Sequence, residues 1–166
     1  YMLGDYVRDK DAVTASMLLT EMAAWYAAQG MTLFDALNAL YEKYGYYAEK
    51  THNLVMPGLD GLEKMAALMK NLRDVPPTEI AGVAVTARTD YKDGTITDCT
   101  TGQVTASELK GSNVLRYTLA DGTVILVRPS GTEPKIKVYI LTLGKDVEER
   151  DTNIEKYSQW ALALQN

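Results

Sequence analysis

Three consecutive strand-like patterns in the second half of the chain constrain its fold more than any other feature. Residues 114–119 and 123–128 alternate apolar and polar side chains on either side of Asp121-Gly122. An Asp-Gly pair between two such segments favours a β-hairpin with a type I′ turn. Residues 135–143 alternate in the same way and predict a third strand. The chain is therefore expected to contain an antiparallel sheet built around this hairpin.

Apolar residues at helical spacing predict four helices. The predicted segments, in chain order, are residues 12–28, 32–44, 61–72 and 146–164. Thr32 followed by Asp35 indicates a capping box, in which each side chain bonds to the other residue's backbone amide. Asp60 followed by Glu63 gives the third helix the same signature, and Asp146 can cap the last helix. These residues set the predicted starts of three of the four helices.

The other segments complete an α+β pattern. Residues 46–55 and 83–91 are rich in β-branched and aromatic residues and predict two more strands. Residues 95–113 contain many Thr, Ser and Gly residues without a strong period, and they are predicted to be mostly loop. From residue 45 onward we therefore expect a mostly antiparallel sheet of about four or five strands with helices on one face.

The composition limits the cellular compartment and the kinds of partner to be expected for this protein. The chain has 166 residues, 46% hydrophobic and 23% charged, which suits one domain or one small domain plus part of another. A net charge of −5 argues against a nucleic-acid or anionic-membrane surface. The sequence has no membrane-length apolar run, no signal-peptide pattern and one cysteine, Cys99. We expect a cytoplasmic protein, and the start at Tyr1 without a methionine indicates a piece of a longer one.

Residues 128–135 (RPSGTEPK) connect the second and third of these strands, and their side chains suit a phosphate group. The guanidinium of Arg128 offers a planar fork of donors that matches phosphate oxygens. Ser130 and Thr132 add uncharged hydroxyl donors. Gly131 allows backbone amides to turn toward an anion. The same residues also suit an ordinary polar hairpin loop, and composition alone leaves both interpretations open.

Two lysines follow the loop at the start of the third strand. Lys135 and Lys137 are separated by one residue, so strand alternation places both side chains on the same face of the sheet. Their positive charge next to the loop supports the interpretation as an anion site.

Two segments resemble one known family. The sequence RPSGTEPK followed by IKVY resembles the phosphate-binding loop of the α-D-phosphohexomutases, which include phosphoglucomutases, phosphomannomutases and phosphoglucosamine mutases. Residues 1–13 (YMLGDYVRDKDAV) resemble a segment at the end of that family's sugar-binding third domain. The resemblance implies that residues 1–44 are the closing helices of the third domain. Residues 45–166 would then be the fourth, phosphate-binding domain, with a fold similar to that of the TATA-binding protein.

The resemblance also implies roles for individual residues. The residues that would hold the phosphate on the non-reacting end of the hexose are Arg128, Ser130, Gly131, Thr132 and Lys137. Arg8 and Lys10 would contact the substrate, and Lys10 is a candidate for an acid–base or electrostatic role in catalysis. Without the resemblance, the charged residues 8–11 would be interpreted as a solvated helix start.

The resemblance implies an intramolecular phosphotransferase that interconverts hexose 1-phosphate and hexose 6-phosphate. Its phosphoryl group passes through a phosphoserine and a hexose bisphosphate, which also acts as activator, and the enzyme uses magnesium. The serine loop, the aspartate-rich magnesium loop and the sugar-selecting motif do not occur in this sequence. We therefore expect no metal ligands here, no catalysis by this chain alone, and the first three domains of the same protein as its partners.

The alternative function is a stand-alone phosphate or nucleic-acid binding module of the same fold, although the net charge of −5 disfavours nucleic acid. His52 has no cysteine or second histidine at ligand spacing and is predicted to be structural or solvent-exposed. Cys99 has no clear activating base and is predicted to be unreactive.

Overall fold

The computed structural model describes residues 9–165, which divide into two compact units between residues 45 and 46. The first unit contains two helices, α1 (Ala12–Ala27) and α2 (Leu33–Tyr44). The side chain of Asp11 accepts hydrogen bonds from two amides of the first turn of α1. It thereby satisfies donors that have no partner inside the helix.

The capping box predicted at the start of α2 is confirmed. The hydroxyl of Thr32 accepts from the amide of Asp35 at 3.1 Å, and the carboxylate of Asp35 accepts from the amide of Thr32 at 2.8 Å. Many apolar side chains of α1 and α2 are exposed, for example Met17 and Trp25, whereas Ala36 is buried. Within residues 9–165, no helix combines the length and the apolar character needed to cross a membrane.

The second unit is an antiparallel sheet with two helices. Its strands are β1 (Tyr46–Val55), β2 (Glu79–Ile80), β3 (Val83–Asp90), β4 (Thr95–Asp98), β5 (Val104–Ala106), β6 (Leu115–Leu119), β7 (Val124–Pro129) and β8 (Lys135–Gly144). Its helices are α3 (Gly61–Asp74) and α4 (Val147–Ala163). The strands pair in the order β1-β8-β7-β6-β3-β4-β5, and β2 pairs with β3. The predicted α+β class is confirmed, with more strands than the four or five expected.

The core lies between the two helices and one face of the sheet. Alternate strand residues are buried on this face, for example Ile125 of β7 and Val138 of β8. They belong to one apolar cluster with Met69 of α3 and Tyr157 of α4, which confirms the prediction of helices on one face. The intervening strand residues point to the opposite face of the sheet, away from α3 and α4. We call this the outer face.

The hairpin between β6 and β7 forms as predicted, but its turn is not type I′. A type I′ turn requires positive φ at both central residues. Gly122 has a φ of 83°, whereas Asp121 is not among the described residues with positive φ. The amide of Gly122 donates to the carbonyl of Leu119 at 3.0 Å, and the amide of Leu119 donates to the carbonyl of Thr123 at 2.9 Å. Residues 120–122 thus form a three-residue loop, in which a single left-handed glycine is sufficient.

Residues 95–113 are mostly loop, as their composition predicts, but they also contain two short strands, β4 and β5, that the composition does not indicate. Strand β4 pairs with β3, and β5 pairs with β4 at the edge of the sheet. The carboxylate of Asp98 accepts from the amides of Thr100 and Thr101 at 2.8 and 2.9 Å and turns the chain back between the two strands. All three residues of β5 are exposed. A short exposed edge strand therefore lacks the apolar–polar alternation by which strands are predicted.

Asp60 is not the side-chain cap of α3 that its spacing to Glu63 predicts. Its side chain makes no capping hydrogen bond and instead forms an ion pair with Lys64 at 2.9 Å. The backbone of Asp60 has φ −90° and ψ 6°, which differs from the extended conformation typical of a capping residue. The predicted position of the helix is nevertheless correct, since α3 begins at Gly61.

Candidate phosphate-binding site

The loop between β7 and β8 is held at its base by the antiparallel ladder. Arg128 pairs with Lys137 in the register of the two strands. One step further along the loop, the amide of Ser130 donates to the carbonyl of Lys135 at 2.8 Å. Residues 131–134 therefore form the tip. All five residues predicted to hold phosphate lie at this end of one hairpin.

The tip is also tied to the connection between β1 and α3. The amide of Met56 donates to the carbonyl of Pro134 at 2.8 Å. Gly61, the first residue of α3, lies against the same proline. A Cβ at Gly61 would be 3.0 Å from the Cβ of Pro134 and 2.2 Å from the carbonyl oxygen of Met56. Since no side chain fits at this distance without a backbone shift, the start of α3 supports the loop closely.

Arg128 and Lys137 lie directly opposite each other, and both side chains point to the outer face. Arg128 is exposed and Lys137 is half-buried. In the part of the chain that the structure describes, neither side chain forms a hydrogen bond or an ion pair. Like charges directly opposite each other on neighbouring strands are unfavourable, and an anion between them would relieve this repulsion.

Lys135 is in a different electrostatic environment from Lys137, although strand alternation places both on one face. Its ammonium group forms an ion pair with Glu133 at 2.5 Å. The hydrogen bond from Lys135 holds the pKa of the Glu133 carboxyl below its ordinary value. Glu133 therefore partly neutralises Lys135 through this ion pair and is also attracted by the charge of Lys137, which leaves Arg128 and Lys137 as the cations without a direct partner.

Several donors of the loop tip are available to a ligand. The amide of Thr132 makes only a long contact with the hydroxyl of Ser130, at 3.4 Å. The amides of Gly131 and Glu133 donate to no atom within residues 9–165. Gly131 and Thr132 are exposed, and Ser130 is half-buried. The loop thus presents hydroxyl and amide donors at the same end of the hairpin as Arg128, a combination that suits phosphate oxygens.

The predicted substrate-contacting residues, Arg8 and Lys10, lie near the start of the sequence. Arg8 lies outside the described residues. Lys10 is exposed and forms an ion pair with Asp9 at 3.1 Å. It precedes α1 and is not part of that helix. The role of Lys10 stays a prediction.

Three residues near the loop cannot be identified as part of its surroundings from the loop sequence itself. Arg116 of β6 lies on the outer face and pairs with Leu126, two residues before Arg128. The alternation of β6 places Arg116 on that face, so the sequence pattern of the hairpin is sufficient to predict the face on which this residue lies. Met56 and Gly61 have no comparable signal, because they support the loop through contacts between segments far apart in the sequence.

The other potentially reactive side chains considered from the sequence are those of His52 and Cys99. His52 Nε2 lies 2.8 Å from the hydroxyl of Ser158 in α4, and burial together with the charge of Lys50 lowers the pKa of His52. This confirms a structural interpretation of His52. Cys99 is exposed. Among the residues described, 9–165, no group of three or more His, Cys, Asp or Glu side chains could hold a metal ion.

The fold and the loop define a class of protein: an α+β domain with a cationic, donor-rich loop at the end of a hairpin. The family model for the phosphoglucomutase/phosphomannomutase C-terminal domain matches residues 53–142, more than half of the chain. The chain therefore belongs to the phosphoglucomutase/phosphomannomutase family, and the predicted resemblance is confirmed.

Individual relatives are phosphoglucomutases of staphylococci. The chain is 38% identical to the phosphoglucomutase of Staphylococcus aureus strain N315 over 147 residues, which are 87% of this chain and 26% of that protein. It is 34% identical to the phosphoglucomutase of Staphylococcus haemolyticus over 157 residues, which are 95% of this chain and 28% of that protein. The chain thus spans about a quarter of the length of the curated relatives it matches.

One solved structure supports the fold. The chain resembles the open form of parafusin (pp63), an exocytosis-sensitive phosphoprotein and phosphoglucomutase from Paramecium, with a TM-score of 0.58. The match covers 96% of this chain and 28% of that one, at 15% identity. At this identity the likeness concerns the fold alone.

Proposed function

We propose that this chain anchors the non-reacting phosphate of the substrate in a phosphoglucomutase or phosphomannomutase. The complete protein would interconvert hexose 1-phosphate and hexose 6-phosphate through a phosphoserine and a hexose bisphosphate. The observation that carries the proposal is the pair of unpartnered cations, Arg128 and Lys137, beside a loop with free amides. The family membership supports the choice of a sugar phosphate as the ligand.

The proposed role of these residues is to bind and orient. Arg128 would hold two phosphate oxygens with its planar fork, and Lys137 would add a point charge from the opposite strand. Ser130, Thr132 and the amide of Gly131 would fill the remaining positions around the phosphate. The non-reacting phosphate is present in substrate, intermediate and product. Binding energy gained there can therefore position the sugar throughout the reaction and help to close a lid over it.

We further propose that the chain is inactive alone and works with the other domains of a longer cytoplasmic protein. Residues 1–44 would be the end of its third domain and residues 45–166 its fourth. Arg8 and Lys10 would contact the sugar substrate from the third domain. We expect neither nucleic acid nor a membrane among its partners.

We propose magnesium for the complete enzyme, with its ligands in other parts of the protein. Magnesium is bound by carboxylates together with water and phosphate oxygens. The aspartate-rich loop and the serine loop that the resemblance implies do not occur in this sequence. We therefore propose that the magnesium ligands and the phosphoserine lie in the other domains.

Titration of the 166-residue chain with inorganic phosphate, followed by amide NMR, tests the site. We expect binding on the order of millimolar, because a few charge-assisted bonds must offset the cost of association. Shift changes should concentrate on residues 128–137. Arg128→Ala should weaken binding about tenfold or more. In the full-length protein, the same substitution should raise KM and lower kcat/KM by about tenfold or more.

The control for this experiment is Lys50→Ala. Lys50 is an exposed cation of β1 that alternates onto the helix side of the same sheet. Its removal changes the net charge by the same amount and should leave phosphate affinity unchanged. The proposed site is wrong if Arg128→Ala binds phosphate as tightly as the unchanged chain.

A further inference from the structure

We propose that Arg116 is a further ligand of the phosphate site and that it binds the same phosphate group as Arg128. This inference rests on the proposed function, since it extends the site around the β7–β8 loop. It adds a residue from a third strand, β6, that lies outside the loop motif.

The sheet register brings Arg116 next to the site. Arg116 pairs with Leu126 on the neighbouring strand, and Arg128 follows two residues later on the same side of β7. Such diagonal neighbours have Cα atoms roughly 7–8 Å apart, within reach of long side chains. Both arginines point to the outer face. Their guanidinium groups can therefore converge on one phosphate above the sheet.

Arg116 also lacks the carboxylate partner that two other arginines of the second unit, Arg73 and Arg150, have. Arg73 donates to the carboxylate of Asp90 at 2.7 Å, and Arg150 donates to Asp151 at 2.8 Å. Arg116 is half-buried, yet its guanidinium bonds to no group in the described part of the chain. A partly desolvated cation without a partner loses free energy, which an anionic ligand would restore.

The outer face around Arg116 is apolar on the side away from the loop. A groove of about 470 Å³ is lined by Arg116 and by apolar residues that include Val124, Leu126 and Leu141. None of residues 128–137 lines this groove, so the phosphate would lie between Arg116 and Arg128 and not in the groove. The carboxylate that lines the groove, Glu49, lies on β1, three strands away from β6. At about 4.8 Å per strand this is roughly 14 Å, beyond the Debye length of physiological salt. Glu49 therefore does not neutralise Arg116.

The test is a titration of inorganic phosphate into the 166-residue chain and three variants, followed by amide and arginine side-chain NMR. Arg116→Ala should weaken binding about fivefold or more. Arg116→Lys should weaken it less, because the charge remains while the planar fork is lost. The matched charge control Lys50→Ala should bind like the unchanged chain. In the unchanged chain, the Nε–H resonance of Arg116 should shift as phosphate is added.

A parallel titration of Arg128→Ala separates this inference from the proposed function. If Arg128→Ala weakens binding and Arg116→Ala does not, the inference is wrong and the proposed function stands. If Arg116→Ala alone weakens binding, the assignment of Arg128 is wrong, and so is the inference that both arginines hold one phosphate group. If neither substitution matters, both proposals are wrong. Should Arg116→Ala fail to fold, the lysine variant and the Arg116 resonance decide the question by the same outcomes.

Discussion

At the scale of single residues, Gly131 differs from most of the glycines that the structure describes. Gly82, Gly94 and Gly122, for example, have positive φ, a backbone conformation that residues other than glycine rarely adopt. Gly131 is not among the positive-φ glycines, and a Cβ at this position would meet no atom within 4 Å. The fold therefore does not require glycine here. The missing side chain instead leaves space from which an anion can approach the loop amides.

Gly131→Ala should consequently separate binding from stability. We expect the free energy of unfolding to stay within about 0.5 kcal/mol or to rise by up to about 1 kcal/mol, because alanine restricts the unfolded chain. We expect phosphate affinity, measured by NMR titration, to fall. The matched control is Gly122→Ala, which should cost about 1 kcal/mol at its φ of 83° and leave phosphate affinity unchanged. Unchanged affinity in Gly131→Ala would contradict a role for this glycine in binding.

At the scale of secondary-structure elements, Asp146 and Asp60 show that one sequence signature has two outcomes. Asp146 is extended, and its carboxylate accepts from the amide of Glu149 at 2.8 Å, as a capping residue does. Asp60 has the same spacing to an acidic residue but a non-extended backbone and no capping bond. The contact of Gly61 with Met56 and Pro134 coincides with this change at the start of α3.

These two aspartates should differ in their contribution to stability. Asp146→Ala should lower the free energy of unfolding by about 1 kcal/mol, the usual effect of a lost N-cap. Asp60→Ala removes only an exposed ion pair with Lys64 and should lower the free energy of unfolding clearly less than Asp146→Ala does. Urea unfolding of both variants measures the difference. Equal costs would mean that Asp60 caps α3 in solution.

At the scale of the whole molecule, two carboxylates connect the helices to the sheet. Asp90 at the end of β3 accepts from Arg73 of α3 at 2.7 Å, and Asp121 in the hairpin loop accepts from the hydroxyl of Tyr157 in α4. Burial raises the pKa of each carboxyl, but the hydrogen bonds from these partners, the backbone amides of Lys92 and Thr123 and the nearby lysine charges together outweigh burial. The pKa values of Asp90 and Asp121 therefore both lie below their ordinary value.

The chain should accordingly lose stability in acid. A carboxyl with a lowered folded-state pKa contributes stability above its unfolded pKa of about 3.9, and this contribution is lost as pH falls through the lower folded value. Asp121→Asn should be less stable than the unchanged chain at neutral pH and should lose less stability on acidification. Urea unfolding between pH 7 and pH 3 measures how the free energy of unfolding depends on pH in both proteins. The variant should keep the part of this dependence that comes from Asp90. An identical pH dependence in the two proteins would exclude a contribution from Asp121.

The sequence alone determined the features that depend on neighbouring residues. The capping residues Thr32 and Asp146 and the alternation of β6, β7 and β8 act over a few residues, so their patterns predict two helix starts, the hairpin and the α+β class. The chemistry of residues 128–135 is local in the same sense, which is why the loop could be singled out as an anion site before its geometry was known.

Only the tertiary structure decided the features that depend on contacts between distant segments. The backbone of the loop 120–122 and the cap of α3 differ from their predictions, and the edge strand β5 was not predicted, because pairing and packing select among local conformations of similar energy. The surroundings of the loop are decided in the same way. Strand order places Arg116 beside Arg128, and the fold brings Met56 and Gly61 against Pro134, contacts that no local pattern records.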